Sequence, residues 1–398
     1  MNVYVENHRL ICELEGRMDS VNAAGMEAEI LEALSRYPGL PLCLDAERLQ
    51  YISSSGIRVL IRLFKACPEG LSVRNASSDV YDVFDVTGLA ERLSVKKKYR
   101  TLSVEGAPII GEGAFGTVYR IDGDTVVKVF RNGEASLPVI ENEQRSAREA
   151  FLIGLPTAIP FDIVRVGQQY GAVYELIDAR NCNDIVIQEP ERLDGLIRAY
   201  ADLIRSLHGL SADPGRLRSA RDIYLANLDV LGALLPADVC QRLRALLEAL
   251  PEDLHLVHGD IQMKNVMLSG DEMLLIDLDH ICTGDPVFEF ASLYAAYVAF
   301  NEDDPDNAMQ FFGIDREIIE RIYRDALKAY LGPMDEQARR QAEQRASLVG
   351  YLRFLAILVI ELKDVHTELR KTQIRRATER LTELAFAVDD LRLLGGRA

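Results

Sequence analysis

Two hydrophobic patterns alternate over residues 1–100. Short apolar runs at Val3–Val5, Leu10–Leu14, Pro41–Leu44 and Leu71–Val73 read as strands, and 3.6-residue periodicity over Val21–Leu34, Gly56–Lys65 and Asp79–Phe84 reads as helices. Strands interleaved with helices in this order predict a small α/β domain whose sheet is flanked by helices. Lys96, Lys97, Lys98, Tyr99 and Arg100 then form a basic stretch with no apolar period, followed by Gly106-Ala107-Pro108. A boundary is expected there, giving a first domain over 1–104 and a second over 105–398.

From Ala107 the pattern changes to a strand, a glycine-rich turn and two strands joined by Asp122-Gly123, a dipeptide suited to a type I′ hairpin turn. A helix is predicted at about Glu141–Leu155 and strands near Phe161–Val166 and Gly171–Leu176. Residues 191–250 and 315–395 are dominated by helical periodicity. The second domain is therefore expected to be α+β, with a β-rich lobe over about 107–178 and a helical lobe over about 190–398.

The 398 residues, 48 % of them apolar, are enough to fill the cores of two or three domains. Residues 1–104 carry 13 basic and 14 acidic side chains, so the remainder holds nearly all of the net charge of −17. An acidic body argues against a nucleic-acid or anionic-membrane partner. Cys12, Cys43, Cys67, Cys182, Cys240 and Cys282 are scattered, without metal-ligand spacing, and read as small buried residues in a reducing cytoplasm. Met1–Leu14 is broken by Glu6, Arg9 and Glu13, which excludes a signal peptide. The longest apolar run, Tyr351–Leu362, is interrupted by Arg353 and Glu361 and too short to span a bilayer. A cytoplasmic protein is expected.

The candidate chemistry lies in residues 107–300. Gly111-Glu-Gly113-Ala-Phe-Gly116-Thr-Val118 fits G-x-G-x-x-G-x-V, in which glycines let backbone amides approach phosphates. A dinucleotide site would need a helix directly after the glycines, and Thr117–Ile121 reads as a strand. Lys128, in the alternating run Val126–Phe130, occupies the place of the phosphate-pairing lysine of a V-A-I-K strand rather than that of an edge-strand charge. Glu143 and Glu149 are candidates for its carboxylate partner. Glu143 is favoured because it shares a helical face with Ala147, Ala150 and Phe151, whereas Glu149 lies with Arg145 and Ser146.

The strongest signal is His258-Gly-Asp260-Ile-Gln-Met-Lys-Asn265, followed by a turn at Ser269-Gly270-Asp271 and by Met273-Leu-Leu-Ile-Asp277-Leu-Asp279. In-line phosphoryl transfer needs a carboxylate to orient and deprotonate an acceptor hydroxyl, and hard oxygen ligands for Mg²⁺ at the nucleotide phosphates. Asp260 fits the base, Asn265 and Asp277 the metal ligands, and His258 a brace for the loop. A lone acid is usually a turn or cap residue; the full ordered set is not explained that way.

Residues about 107–300 resemble the kinase-like phosphotransferases of the aminoglycoside phosphotransferase and choline kinase type. His258-Gly-Asp-x4-Asn265 resembles that family's catalytic loop, and Ile276-Asp277-Leu-Asp279 with Thr283-Gly-Asp285-Pro286 resembles its metal-binding strand and following turn. The resemblance implies a bilobal protein-kinase-like fold, ATP and Mg²⁺, and a role for Asp279 in holding the metal. Compared with protein kinases, Gly259 replaces the Arg of H-R-D, and D-F-G reads Asp277-Leu278-Asp279. Glu289-Phe-Ala291 stands where the family often has Asp-Leu-Ala, outside the chemical core. The acidic stretch Glu302-Asp-Asp-Pro-Asp306 reads as a solvated loop before it reads as a lure for a cationic acceptor.

In the first domain, Ser53-Ser54-Ser55-Gly56 precedes helical spacing and puts Ser54 or Ser55 at a helix N-terminus, as a cap. With Asp85-Val-Thr-Gly-Leu89, this segment resembles the STAS domain of anti-sigma factor antagonists over nearly the whole first hundred residues. In that family the loop reads Asp-Ser-Ser/Thr-Gly and the serine after the Asp accepts phosphate. Ser54 holds that position here, with Ser53 in place of the Asp.

These readings predict an ATP- and Mg²⁺-dependent phosphotransferase acting on the hydroxyl of an acceptor, a small molecule ahead of a protein, with a STAS module that regulates it or docks a protein partner. The competing reading is a partner-switching signalling protein whose kinase-like domain senses nucleotide. Phosphorylation of Ser54 by the second domain is a third and weaker one.

Overall fold

In the computed structural model, which describes residues 1–113, 116–362 and 366–394, the chain divides into two units. One takes in Met1–Ser103 and Ile163–Gln168, the other Val104–Asp162 and Gln169–Ala398.

The first unit runs β1 (Val3–Glu6), β2 (Arg9–Met18), α1 (Ala23–Arg36), β3 (Leu42–Ile52), α2 (Ser54–Ala66), β4 (Leu71–Ala76), α3 (Ser78–Val86), β5 (Val95–Lys97) and the short β6 (Arg100–Thr101). β1 to β5 form a sheet in chain order, antiparallel between β1 and β2 and parallel thereafter. Parallel neighbours need a crossover, and α1, α2 and α3 supply one between each pair. The α/β expectation holds, with a core of Leu10, Leu14, Leu42 and Leu44 from the sheet against Ile30, Leu60 and Phe84 from the helices.

The elements are longer than the apolar runs that announced them. The run Pro41–Leu44 ends at Asp45, yet β3 continues to Ile52 because the charge is satisfied inside the sheet. Asp45 is 6 % exposed. It accepts from Arg74 Nε at 2.8 Å, Asn75 Nδ2 at 3.0 Å and the Glu47 amide at 3.0 Å. The basic stretch is also not a loose join at its start. Lys96 and Lys97 belong to the edge strand β5, Lys97 Nζ stands 4.2 Å from the centroid of the Tyr81 ring, and Lys98 pairs with Glu47 at 2.5 Å. Lysines on an edge strand discourage pairing with another sheet. The cap of α2 is Ser53, not Ser54 or Ser55: its Oγ accepts from the Ser55 and Gly56 amides at 3.2 and 3.4 Å, which leaves Ser54 exposed in the first turn.

The second unit opens with β7 (Ile109–Glu112), β8 (Gly116–Arg120), β9 (Thr125–Phe130), α4 (Leu137–Ile153), the start of β10 (Pro160–Val166, which from Ile163 on belongs to the first unit) and β11 (Gln169–Glu175). β7, β8, β9 and β11 are antiparallel neighbours in that order. The turn at Asp122-Gly123 is not type I′, since neither residue has positive φ. The loop is one residue longer, closed by Ile121 N–H to Thr125 O at 2.9 Å, and Asp122 Oδ1 accepts from the Asp124 amide at 2.9 Å. An Asx turn thus does what left-handed backbone would do in a two-residue hairpin.

Helices at Leu193–Leu207, Ala220–Leu231, Ala237–Glu248, Val287–Tyr294, Arg316–Leu331, Glu336–Ala356 and Glu368–Ala385 build the helical lobe around Tyr200, Phe290, Tyr297 and Phe354. The fold is kinase-like, a β-rich lobe followed by a helical one. Glu302 and Asp303 are not in a solvated loop. They end the helix Phe300–Asp303, held by Arg376, and Glu302 accepts from the Tyr351 hydroxyl at 2.9 Å. The apolar run Tyr351–Leu362 tolerates its charges because Arg353 and Glu361 pair with each other. No described helix is long and apolar enough to cross a membrane. All six cysteines are free thiols, five of them buried.

Desolvation works to raise the Asp45 carboxyl, but its hydrogen bonds to Asn75, the Glu47 amide and Arg74 hold it below the usual range. A depressed pKa contributes stability above the unfolded value that is lost as pH falls through the folded one. Asp45→Asn is therefore expected to lower the local stability of β3 and β4 by about 2 kcal/mol at neutral pH. The gap to wild type should close under acid conditions where Asp45 itself is protonated. Amide hydrogen exchange of Leu42–Ile52 and Leu71–Ala76 at both pH values measures it.

Candidate active site

Lys128 sits on β9 between β8 and β11, opposite Val118 on one side and Ala172 on the other. Its neighbours Val127 and Val129 are buried, so the alternation turns Lys128 to the other face, toward α4. There Nζ donates to Glu143 Oε1 and Oε2 at 3.1 and 3.3 Å and to Asp277 Oδ1 at 2.6 Å. Glu143 also accepts from the Tyr174 hydroxyl at 2.7 Å. Desolvation opposes the ammonium charge, but Asp277 and Glu143 hold the Lys128 pKa above its usual value. Glu143 is the partner that the helical face indicated, and Glu149 makes no hydrogen bond to Lys128. The face itself is displaced from the expected one. It comprises Ile140, Glu143, Gln144, Ser146, Ala147 and Ala150, so Ser146 is buried while Phe151 is 38 % exposed.

Of the glycine-loop residues, Gly111 lies in β7, Gly116 and Val118 in β8, and Gly113 between them, where its amide donates to Gly116 O at 2.9 Å. Ala114 and Phe115, the middle of the motif, lie outside the described residues. The glycines differ in what they exclude. A Cβ at Gly116 would stand 2.2 Å from Val129 O, so the close approach of β9 demands glycine there. A Cβ at Gly113 would meet nothing within 4 Å, which leaves that backbone open on the side where a ligand could approach.

The catalytic-loop motif is held by a two-strand clasp. Leu256–Val257 pairs antiparallel with Cys282–Thr283, so the segment leaving at His258 and the segment returning from Asp277 lie side by side. Between them the hairpin Val266–Ser269 and Glu272–Leu275 turns the chain round. Ile276 N–H donates to Asn265 O at 3.0 Å, and His258 Nε2 donates to Ile276 O at 3.1 Å. His258 Nδ1 in turn accepts from the Asp260 amide at 3.3 Å, which assigns the neutral tautomer with its proton on Nε2. Burial lowers the His258 pKa and keeps the ring neutral.

Asp260 Oδ2 accepts from Gln262 Nε2 and from Asn265 Nδ2, each at 3.0 Å, leaving Oδ1 without a donor among the described residues. Desolvation and the charge of Asp279 push its carboxyl up to about 8. Gly259 has φ +79°, and a Cβ there would stand 2.8 Å from His280 O. This is the reason for glycine where protein kinases carry arginine.

Asp277 has φ +63°, a left-handed conformation that Asp tolerates better than most residues. Desolvation works upward on its carboxyl, but the Lys128 charge and hydrogen bond hold it below its usual value. Desolvation and the charge of Asp277 lift Asp279, two residues on, to about 6. Lys128, Glu143, Asp277, Asp279, His258, Asp260 and Asn265 thus belong to one connected set within the second unit. Ser54 belongs to the first unit.

A family model described as the phosphotransferase enzyme family matches residues 107–358. The chain belongs to this phosphotransferase family. Residues 3–97 match a second model, described as Mlab, STAS domain. Among solved structures, this phosphotransferase is similar to ADP-bound aminoglycoside phosphotransferase APH(2'')-Ib, with 15 % identity, 76 % of this chain and 99 % of that chain covered, and a TM-score of 0.48. It is also similar to APH(2")-IIa in a ternary complex with streptomycin and ATP, at 15 % identity, 76 % and 98 % coverage and a TM-score of 0.45. A third similar structure is APH(3'')-Id from Streptomyces rimosus ATCC10970 with ADP and streptomycin, at 17 % identity, 59 % and 89 % coverage and a TM-score of 0.41. None of the curated proteins matches.

The motifs did not disclose how the phosphotransferase holds its loop. Glu289 is fully buried and accepts from the His258 amide at 2.7 Å and the Gly259 amide at 3.0 Å, so it touches the chemical core after all. Ser292 Oγ donates to Gly259 O at 2.6 Å, the Met263 amide donates to Tyr297 Oη at 2.6 Å, and the Tyr200 hydroxyl donates to Ile261 O. One acid inside the apolar run Val287–Leu293 was the available signal. Glu289→Ala is expected to leave both amides unpaired in the interior, destabilising the phosphotransferase by about 2–5 kcal/mol. Glu289→Gln, which keeps one acceptor, should recover part of that loss. Denaturant midpoints of the two variants measure the difference.

Proposed function

We propose that the chain transfers the γ-phosphate of ATP to a hydroxyl of a small-molecule acceptor, with Asp260 as the base. The observation that carries this reading is the ammonium of Lys128 held between Glu143 and Asp277 in the same connected set as a half-buried Asp260 whose Oδ1 has no donor among the described residues. In it, Oδ1 takes the acceptor's hydroxyl hydrogen bond, orienting the oxygen for attack and receiving its proton. Gln262 and Asn265 fix the carboxylate by occupying its other oxygen, and His258 orients the loop without exchanging a proton. Lys128 neutralises phosphate oxygens, its rotamer set by Glu143. The backbone at Gly111, Gly113 and Gly116 covers the phosphates, with Val118 beneath.

The residues present fit Mg²⁺. Asp277 and Asp279 raise each other's cost of ionisation, as the lifted Asp279 pKa reflects, and Asn265 uses Nδ2 on Asp260, which leaves its Oδ1 for a metal. Two carboxylates and an amide carbonyl are hard oxygen donors suited to this ion. Asn265, Asp277 and Asp279 would hold it, where it would screen the charge of the phosphates. The STAS module regulates the transfer or docks a protein partner, with the exposed hydroxyl of Ser54 as the candidate phospho-acceptor.

The test is Mg²⁺-dependent ATP consumption by the full chain against aminoglycosides, choline-like amines and sugars. Acceptor-dependent turnover is expected, reduced about 10²–10⁴-fold by Asp260→Asn. Lys128→Met should weaken nucleotide use, and Ser54→Asp should alter turnover without abolishing it. ATP binding with no turnover on any acceptor would overturn the enzyme reading in favour of nucleotide sensing.

A further inference from the structure

Between the helices Leu193–Leu207 and Arg316–Leu331 and the start of Glu336–Ala356 lies a cleft of about 540 Å³. Its charges are unevenly satisfied. The two carboxylates that line it, Asp194 and Asp325, are both taken by Arg321, the second at 3.1 Å. The three cations that line it, Arg198, Lys328 and Arg339, form no hydrogen bond or ion pair with any described residue. Arg339 Nε is in addition enclosed, with no hydrogen-bond partner among the described residues. A buried unpaired donor is costly, and native structures almost always satisfy it.

We propose that this cleft binds a small molecule bearing a phosphate group. Three cations lining one cleft with no counter-ion among the described residues, in a chain of net charge −17, select an anion. The forked guanidinium donors of Arg198 and Arg339 suit a tetrahedral oxyanion, and Lys328 adds a point charge. The volume falls in the range of small-ligand sites and exceeds what a lone phosphate fills. A polyanionic macromolecule is disfavoured because the cleft is small and the chain carries a net charge of −17. The site shares no residue with the transfer machinery, so its occupancy is independent of the proposed function.

The test follows arginine Nε–H resonances of the full chain during titration with inorganic phosphate. The resonance that Arg339→Gln removes is expected to shift saturably, and to do so equally in Lys128→Met, whose nucleotide site is impaired. Lys328→Gln, an exposed substitution that should leave folding intact, is expected to weaken binding about tenfold. A parallel titration with glucose 6-phosphate separates the sources. Tighter binding than phosphate assigns the cleft to phosphate esters, and equal binding assigns it to the free ion. No saturable shift, a shift that sodium chloride reproduces at equal ionic strength, or a shift that Lys128→Met abolishes would each overturn the proposal.

Discussion

The carboxylate of Glu289 is the fixed point of the helical lobe. Burying an unpaired carboxylate costs several kcal/mol, and here that cost is offset by two short hydrogen bonds from consecutive backbone amides, His258 and Gly259. Because both donors are main chain, the bond immobilises the peptide planes from which Asp260 projects rather than any one side chain. Ser292, Tyr297 and Tyr200 repeat the device on the next carbonyls and amide, so the loop from His258 to Met263 is held by groups from three helical segments. Its geometry therefore follows from packing of the helical core.

Charge balance constrains the other half of the site. Lys128 carries one positive charge and has two carboxylates within hydrogen-bond distance, with Asp279 close enough to feel the same field. Three acids around one ammonium leave the cleft short of positive charge, and Asp279 responds by holding its proton more tightly. Under the proposed function, Mg²⁺ would supply the missing positive charge. Glu143 stays in place through Tyr174, whose hydroxyl bonds the same oxygen that faces Lys128.

The first unit uses an interior charge differently. Asp45 in β3 is tied to Arg74 and Asn75 at β4, so its hydrogen bonds staple parallel strands that have no hairpin between them. At the end of the same strand, Ser53 takes the capping role and frees Ser54 for solvent. In this sequence the capping hydroxyl stands where the resembling family has a carboxylate. Either group satisfies the first amides of a helix.

Periodicity and motif order were legible wherever a property is local. Alternation along β9, the helical face of Glu143, and the spacing from His258 to Asn265 are set by the geometry of strand, helix and loop, and a linear sequence records them directly. The apolar runs located four of the five strands of the first sheet, missing the lysine-rich β5, and stopped short where a charge intervened, because whether Asp45 ends a strand depends on Arg74, 29 residues away. The hairpin at Asp122 differed for a related reason: loop length follows from the register of β8 against β9, which no dipeptide encodes. Only tertiary structure made Glu289 part of the site, selected Ser53 as the cap, and left Arg198, Lys328 and Arg339 without counter-ions among the described residues. Each of these is a matter of which distant polar groups meet after the core closes, and the free energy of a charge depends on those partners rather than on its neighbours in sequence.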